Sequence, residues 1–154
     1  MTSVWAQRGS RPVRPKQTEY QWVYLFGAVN PASGDSVALV LPEADTSMMN
    51  LHLEAISRHV GTARHVVLVL DNAGWHTCKG LAIPSNITLL PLPPRTPEEN
   101  PIERLWMWIK ERYFSNRTYR DYEVLLEEVC RMWNRLESTR IQSVCRSAWS
   151  THAN

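Results

Sequence analysis

Two acidic residues, Asp71 and Glu103, stand where a carboxylate could do chemistry. Asp71 directly follows His65-Val66-Val67-Leu68-Val69-Leu70, a continuous apolar run that reads as a buried strand. Functional groups gather at the carboxyl ends of strands in open α/β sheets, and a carboxylate placed there can hold a divalent cation. Taken alone, Asp71-Asn72 reads equally as a turn closing the strand. Glu103 follows Asn100-Pro101 in a pattern that opens a helix, with Asn100 as N-cap, Pro101 at the first helical position and Glu103 at the third. Alone, it is explained as part of that cap, where its charge complements the helix dipole. The pair invites chemistry because each acid sits at the end of an element, and folding can bring the ends of distant elements together.

The elements that must position them follow from the pattern. Residues 1–18 are polar and basic and read as an arm or loop, carrying Arg8, Arg11, Arg14 and Lys16 with no acid from 8 to 16. Such an arm can track phosphates, or can simply be solvated. Tyr20–Val29 and Ser36–Leu41 are rich in β-branched and aromatic residues and flank the turn-forming segment 30–35, so they predict a β-hairpin. Asp45 or Thr46 opens a helix to about Val60, with Met48, Met49, Leu51, Leu53, Ile56 and Val60 on its apolar face and Gly61 as its stop. His65–Leu70 predicts a strand covered on both faces. Ile87–Leu90 predicts a short strand, and the prolines at 91, 93, 94 and 97 a stiff connection. The next helix carries Ile102, Leu105, Trp106, Ile109 and Tyr113 as its buried stripe. A last long helix runs from Thr118 to about Leu136, leaving 138–154 as a tail. Strands interspersed with helices imply a mixed sheet flanked by helices, an α/β fold.

Composition narrows the class. The chain has 154 residues, 44% of them hydrophobic and 21% charged, enough for one domain with a real core. A net charge of +2 does not by itself mark a nucleic-acid binder. The 3 cysteines are widely separated and form no metal-ligand spacing. With no secretory signal and no apolar run of membrane-spanning length, they predict reduced thiols in the cytoplasm and no membrane association.

The linked motifs point further. Leu70-Asp71-Asn72-Ala73-Gly74-Trp75-His76, then Leu92-Pro93-Pro94-Arg95-Thr96-Pro97-Glu98-Glu99-Asn100-Pro101-Ile102-Glu103, then Trp106 and Lys110, closely resemble the signature of bacterial insertion-sequence transposases of the six-thirty family, relatives of mariner elements with a DDE superfamily endonuclease domain. The resemblance spans most of the chain, from about residue 4 to residue 136. It implies a ribonuclease-H-like fold and a site of three carboxylates that binds two Mg²⁺ ions, with Mn²⁺ as an alternative. Those ions serve in-line attack of water or a DNA 3′-hydroxyl on a phosphodiester. By this resemblance Asp71 is the second acid and Glu103 the third. His76 and Lys110 are candidate DNA contacts, with Arg95 and Arg104 weaker ones. Each has a plain alternative: a loop histidine, and lysine or arginine side chains in solvent or paired with neighbouring acids. Trp106 reads as core.

The chain departs from the family in one respect. The family's first acid ends a central strand just before a segment resembling Val4-Trp5-Ala6-Gln7-Arg8-Gly9, and here that segment follows directly on Met1-Thr2-Ser3. The expectation is a catalytic domain of residues 19–137 lacking its first central strand and first Asp, with neither Asp35 nor Asp45 placed to replace it. Loss of that strand would leave the edges of Tyr20–Val29 and His65–Leu70 without partners. Expected partners are DNA, a second copy, and an upstream or full-length transposase polypeptide. Expected activity of the chain alone is low. Two alternatives stand beside this reading: a non-catalytic remnant that binds DNA or pairs with an intact transposase, and an unrelated α/β domain in which the two acids are only a turn and a cap.

Overall fold

Local chemistry sets most element boundaries. The computed structural model describes residues 23–71, 80–94, 96, 99–115, 117, 119 and 121–146. Strands β1 (Tyr24–Val29) and β2 (Ser36–Leu41) form an antiparallel hairpin pairing Tyr24 with Leu41 and Val29 with Ser36. Asn30 closes the turn: its N–H donates to the Asp35 carbonyl at 2.8 Å, and its side-chain oxygen accepts from the Ala32 N–H at 2.9 Å. Helix α1 (Thr46–Val60) starts where the Asp45 carboxylate accepts the Met48 N–H at 2.8 Å and stops at Gly61, which has a φ of 78°.

Strands β3 (Val66–Leu70) and β4 (Ile87–Pro91) pair in parallel, Val66 beside Ile87. Asn86 fixes the entry to β4: its side-chain amide donates to the carbonyls of Ser57 and Gly61 and its side-chain oxygen accepts from the Ser57 hydroxyl. Helix α2 (Pro101–Ile109) opens at Asn100 and passes into a π-helical turn, Lys110–Phe114. Helix α3 (Tyr122–Asn134) is capped by Asp121, whose carboxylate accepts the Val124 N–H at 3.0 Å. Helix α4 (Ser138–Cys145) follows.

The mixed α/β composition agrees with the sequence reading. The single mixed sheet does not appear: among the described residues the strands form two separate pairs, β1–β2 and β3–β4. Helix α1 lies across both. Its Met49, Leu53 and Ile56 pack with Phe26 and Ile87, joined by Val37, Leu41, Val66, Leu68 and Leu89, into the first core. The other face of β1 enters a second core, where Leu25 and Val29 meet Leu105, Ile109, Met132, Ile141 and Cys145 from α2, α3 and α4.

Three details differ from the sequence reading. β3 is not covered on both faces: Val67 is 58% exposed, because the helices after β4 pack on β1 instead. On α1, Leu51 faces solvent while His52 is buried, since the stripe Met49–His52–Leu53–Ile56 follows the 3.6-residue period and Leu51 falls outside it. Residues 138–145, read as tail, form α4 and bury Ile141 and Cys145. The start of the last helix, read at Thr118, falls on a residue outside those described. No helix among the described residues is long and apolar enough to cross a membrane.

Candidate active site

Asp71 follows β3 at its carboxyl end, and Glu103 sits in the first turn of α2. Both line one cavity of about 210 Å³. Residues of β1 and β3 form its two banks. Met49 and His52 reach it from α1, and Asn100, Ile102, Glu103 and Trp106 from the start of α2. Asp71 is exposed and Glu103 half-buried. Burial raises the pKa of the Glu103 carboxyl above its ordinary value, and the negative charge of Asp71 raises it further. Each acid is therefore within electrostatic reach of the other.

The capping account of Glu103 is incomplete. Asn100 does cap the helix, its side-chain oxygen accepting the Ile102 N–H at 3.4 Å, with Pro101 at the first position. Among the described residues, however, Glu103 returns no side-chain hydrogen bond to Asn100, so its carboxylate stays available to the cavity.

Trp106, one turn after Glu103, holds that end of α2 against the sheet. Its ring lies 5.8 Å from that of Trp133 on α3, and both pack on Gly27 of β1. A Cβ at Gly27 would sit 2.6 Å from the Trp106 ring and 3.0 Å from that of Trp133, so this contact requires a residue without a side chain. Trp106 therefore packs against the second core, as its sequence pattern suggested, and also walls the acid cavity.

The other sequence candidates divide. Arg8, Arg11, Arg14, Lys16, His76 and Arg95 lie outside the described residues. Lys110 is exposed where α2 passes into the π turn, and it does not line the acid cavity. Arg104 donates to the Arg146 carbonyl and so ties α2 to the end of α4. Sequence reasoning missed His52, which is 4% exposed, edge-on to Phe26 and part of the cavity wall. Its position in the apolar stripe of α1 was the available signal. Among the described residues no group of three His, Cys, Asp or Glu side chains is placed to hold a metal ion.

Comparison with known proteins sets this geometry in a family. The profile of the DDE superfamily endonuclease matches residues 1–126, a span that includes both acids. The chain belongs to that family. An uncharacterized protein of Sinorhizobium fredii, y4pE/y4sA, is 44% identical over 131 residues, covering 84% of this chain and 97% of that protein. No solved structure matches the chain. At the coarse level, membership in the DDE endonuclease family means transposase-type cleavage of DNA, a reaction these domains generally carry out with divalent metal ions.

Proposed function

We propose that Asp71 and Glu103 are two of the carboxylates of a DNA-cleaving and DNA-joining site of the six-thirty transposase type. The observation that carries this reading is the convergence of two acids, distant in sequence, on one cavity where the charge of Asp71 acts on Glu103. The donor set suits a hard divalent cation: like charges held together in a half-buried cavity are relieved by a cation, and carboxylate oxygens are the preferred ligands of Mg²⁺. Asp71 and Glu103 would hold Mg²⁺, or Mn²⁺ in its place. When bound, such ions polarise the phosphodiester and lower the pKa of the attacking hydroxyl.

The chain's own residues supply position. The β3 terminus fixes Asp71, the Asn100–Pro101 start of α2 fixes Glu103, and Trp106 on Gly27 sets how closely α2 approaches the sheet. Lys110, His76, Arg95 and the basic residues Arg8, Arg11, Arg14 and Lys16 are proposed phosphate contacts, which would steer DNA toward the acids. In this reading the complete fold is ribonuclease-H-like and the first acid of the triad comes from a central strand outside the described elements. In this reading the chain works in the cytoplasm on transposon ends and target DNA. A second reading, pairing with an intact transposase without catalysis, is favoured by the edges of β1 and β3, which pair with no other strand among the described residues.

The test is Mg²⁺-dependent nicking of transposon-end DNA by the chain, with and without a polypeptide carrying the upstream Asp-containing strand. The expected result is nicking that depends on that polypeptide and is lost in Asp71→Asn and in Glu103→Gln. Nicking that survives either substitution overturns the assignment. Binding to the DNA ends without any nicking supports the second reading.

A further inference from the structure

We propose that Arg104 is a positioning residue for the acid site: its bond to the end of α4 fixes the roll of α2 and so the direction of Glu103, a role that rests on the proposed carboxylate pair. Three sides of α2 are engaged. Glu103 and Trp106 line the acid cavity. Leu105 and Ile109 are buried against Ile141 and Cys145 of α4. Arg104 leaves from a third side, about 100° around the helix from Glu103. Its guanidinium donates to the carbonyl of Arg146, the residue just past α4. The same guanidinium lies close enough to Cys145 to draw its thiol pKa down, against the burial that pushes it up to about 11.

Apolar packing sets the distance between two helices but restrains roll weakly, because dispersion contacts have no preferred direction. A hydrogen bond has a preferred angle as well as a length. A carboxylate stands about 5 Å from the axis of its helix, so roughly 10° of roll moves it by about 1 Å. A metal site needs its ligands held within about 0.5 Å. The Arg104 bond supplies the directional restraint that Leu105 and Ile109 lack.

Such a restraint works only if α4 is itself held, and it is held at its other end. The Gln142 side-chain amide donates to the Ala32 carbonyl in the hairpin turn at 2.6 Å. Gly34 of the same turn has a φ of 73°, and its backbone lies so close to α4 that a Cβ there would overlap the Ser138 carbonyl. The turn closes the hairpin at the end of β1, and the start of β1 lines the acid cavity. A closed circuit results. It runs from β1 through the turn to α4, through Arg104 to α2, and back to β1 where Trp106 meets Gly27. Helix α4 lies beyond residues 1–126, the segment that matches the family profile.

The experiment uses the full chain and two readouts. The first is the Mn²⁺ concentration at which the amides of Asp71 and Glu103 broaden. Arg104→Ala is expected to raise it about tenfold or more, and Arg104→Lys, which keeps a donor, to recover part of the loss. The sign is decisive: a guanidinium acting through its charge alone repels the ion, so its removal would tighten binding. Gln142→Ala, at the far end of α4, should weaken binding by less, and it serves as the test if Arg104→Ala does not fold. Val129→Ala in α3 is the control, expected to lose stability without losing Mn²⁺ affinity. The second readout needs no metal: the nuclear Overhauser effect between the Trp106 ring and the Gly27 α protons should weaken in Arg104→Ala. Unchanged or tighter Mn²⁺ binding in Arg104→Ala, equal weakening in Val129→Ala, or an unchanged Overhauser effect overturns the proposal. So does weaker DNA retention at unchanged Mn²⁺ affinity, which would make Arg104 a phosphate contact. If the parent chain binds no Mn²⁺ at either acid, the catalytic reading falls and the Overhauser effect alone decides the role of Arg104.

Discussion

The two strand pairs are made of similar residues, yet they are covered differently. The β1–β2 hairpin is packed on both faces: α1 covers Phe26, while α2, α3 and α4 cover Leu25 and Val29. Among the described residues the β3–β4 pair is packed by α1 on one face, and on the other Val67 and Leu90 are 58% and 51% exposed. The β1 side is a finished core. The β3 side is a half-covered sheet whose β3 edge pairs with no further strand among the described residues, and Asp71 stands at its end. Packing is thus concentrated where Glu103 is anchored and is thinner where Asp71 is presented.

Substitutions that contrast the two sides should show the largest effects. Leu105 in the second core is fully buried, so Leu105→Ala should cost about 2–5 kcal/mol in denaturant unfolding. Val67→Ala on the uncovered face should change stability by less than about 0.5 kcal/mol. Equal losses would mean that β3 is covered in solution and would erase the contrast.

The next effect sharpens the link between the sides. Gly27→Ala pushes a methyl group into Trp106 and Trp133, and a cost of about 1–3 kcal/mol is expected. Trp106→Phe in the same background should restore part of the loss, since it removes the ring atoms that clash. A melting temperature unchanged by Gly27→Ala would show that α2 is free to shift, and with it Glu103.

Several of these features are readable from sequence because they depend on a few adjacent residues. The Asp45 cap, the Gly61 stop, the Asn100–Pro101 helix start and the span of β2 are settled by side chains acting on their own backbone. The acid pair was singled out for a different reason, its place within linked motifs, and its convergence on one cavity required the fold. What was not legible depends on partners distant in sequence. Helix α4 offers few apolar residues, and its place follows from packing against α2. The exposure of Val67 depends on which strand the later helices cover. The choice between Leu51 and His52 on α1 turns on the helical period, which a polar His52 masked.

A smaller effect concerns pH. Burial and Asp71 raise the pKa of Glu103 in the fold, so the protonated form is favoured there. Its contribution to stability is present at low pH and is lost as pH rises from the ordinary carboxyl value of 4.5 through the higher folded value. Glu103→Gln should therefore gain in melting temperature over the parent chain as pH rises from 4 to 7. A gap that stays constant with pH would mean that Glu103 sits in an ordinary solvated setting.

The central claim is that Asp71 and Glu103 form one carboxylate site. The most direct measurement is residue-resolved amide line broadening on titration with Mn²⁺. The account predicts that Asp71 and Glu103 broaden together at the same ion concentration, and that Asp71→Asn or Glu103→Gln abolishes the broadening at both positions. Broadening at one residue that persists when the other is substituted would contradict it.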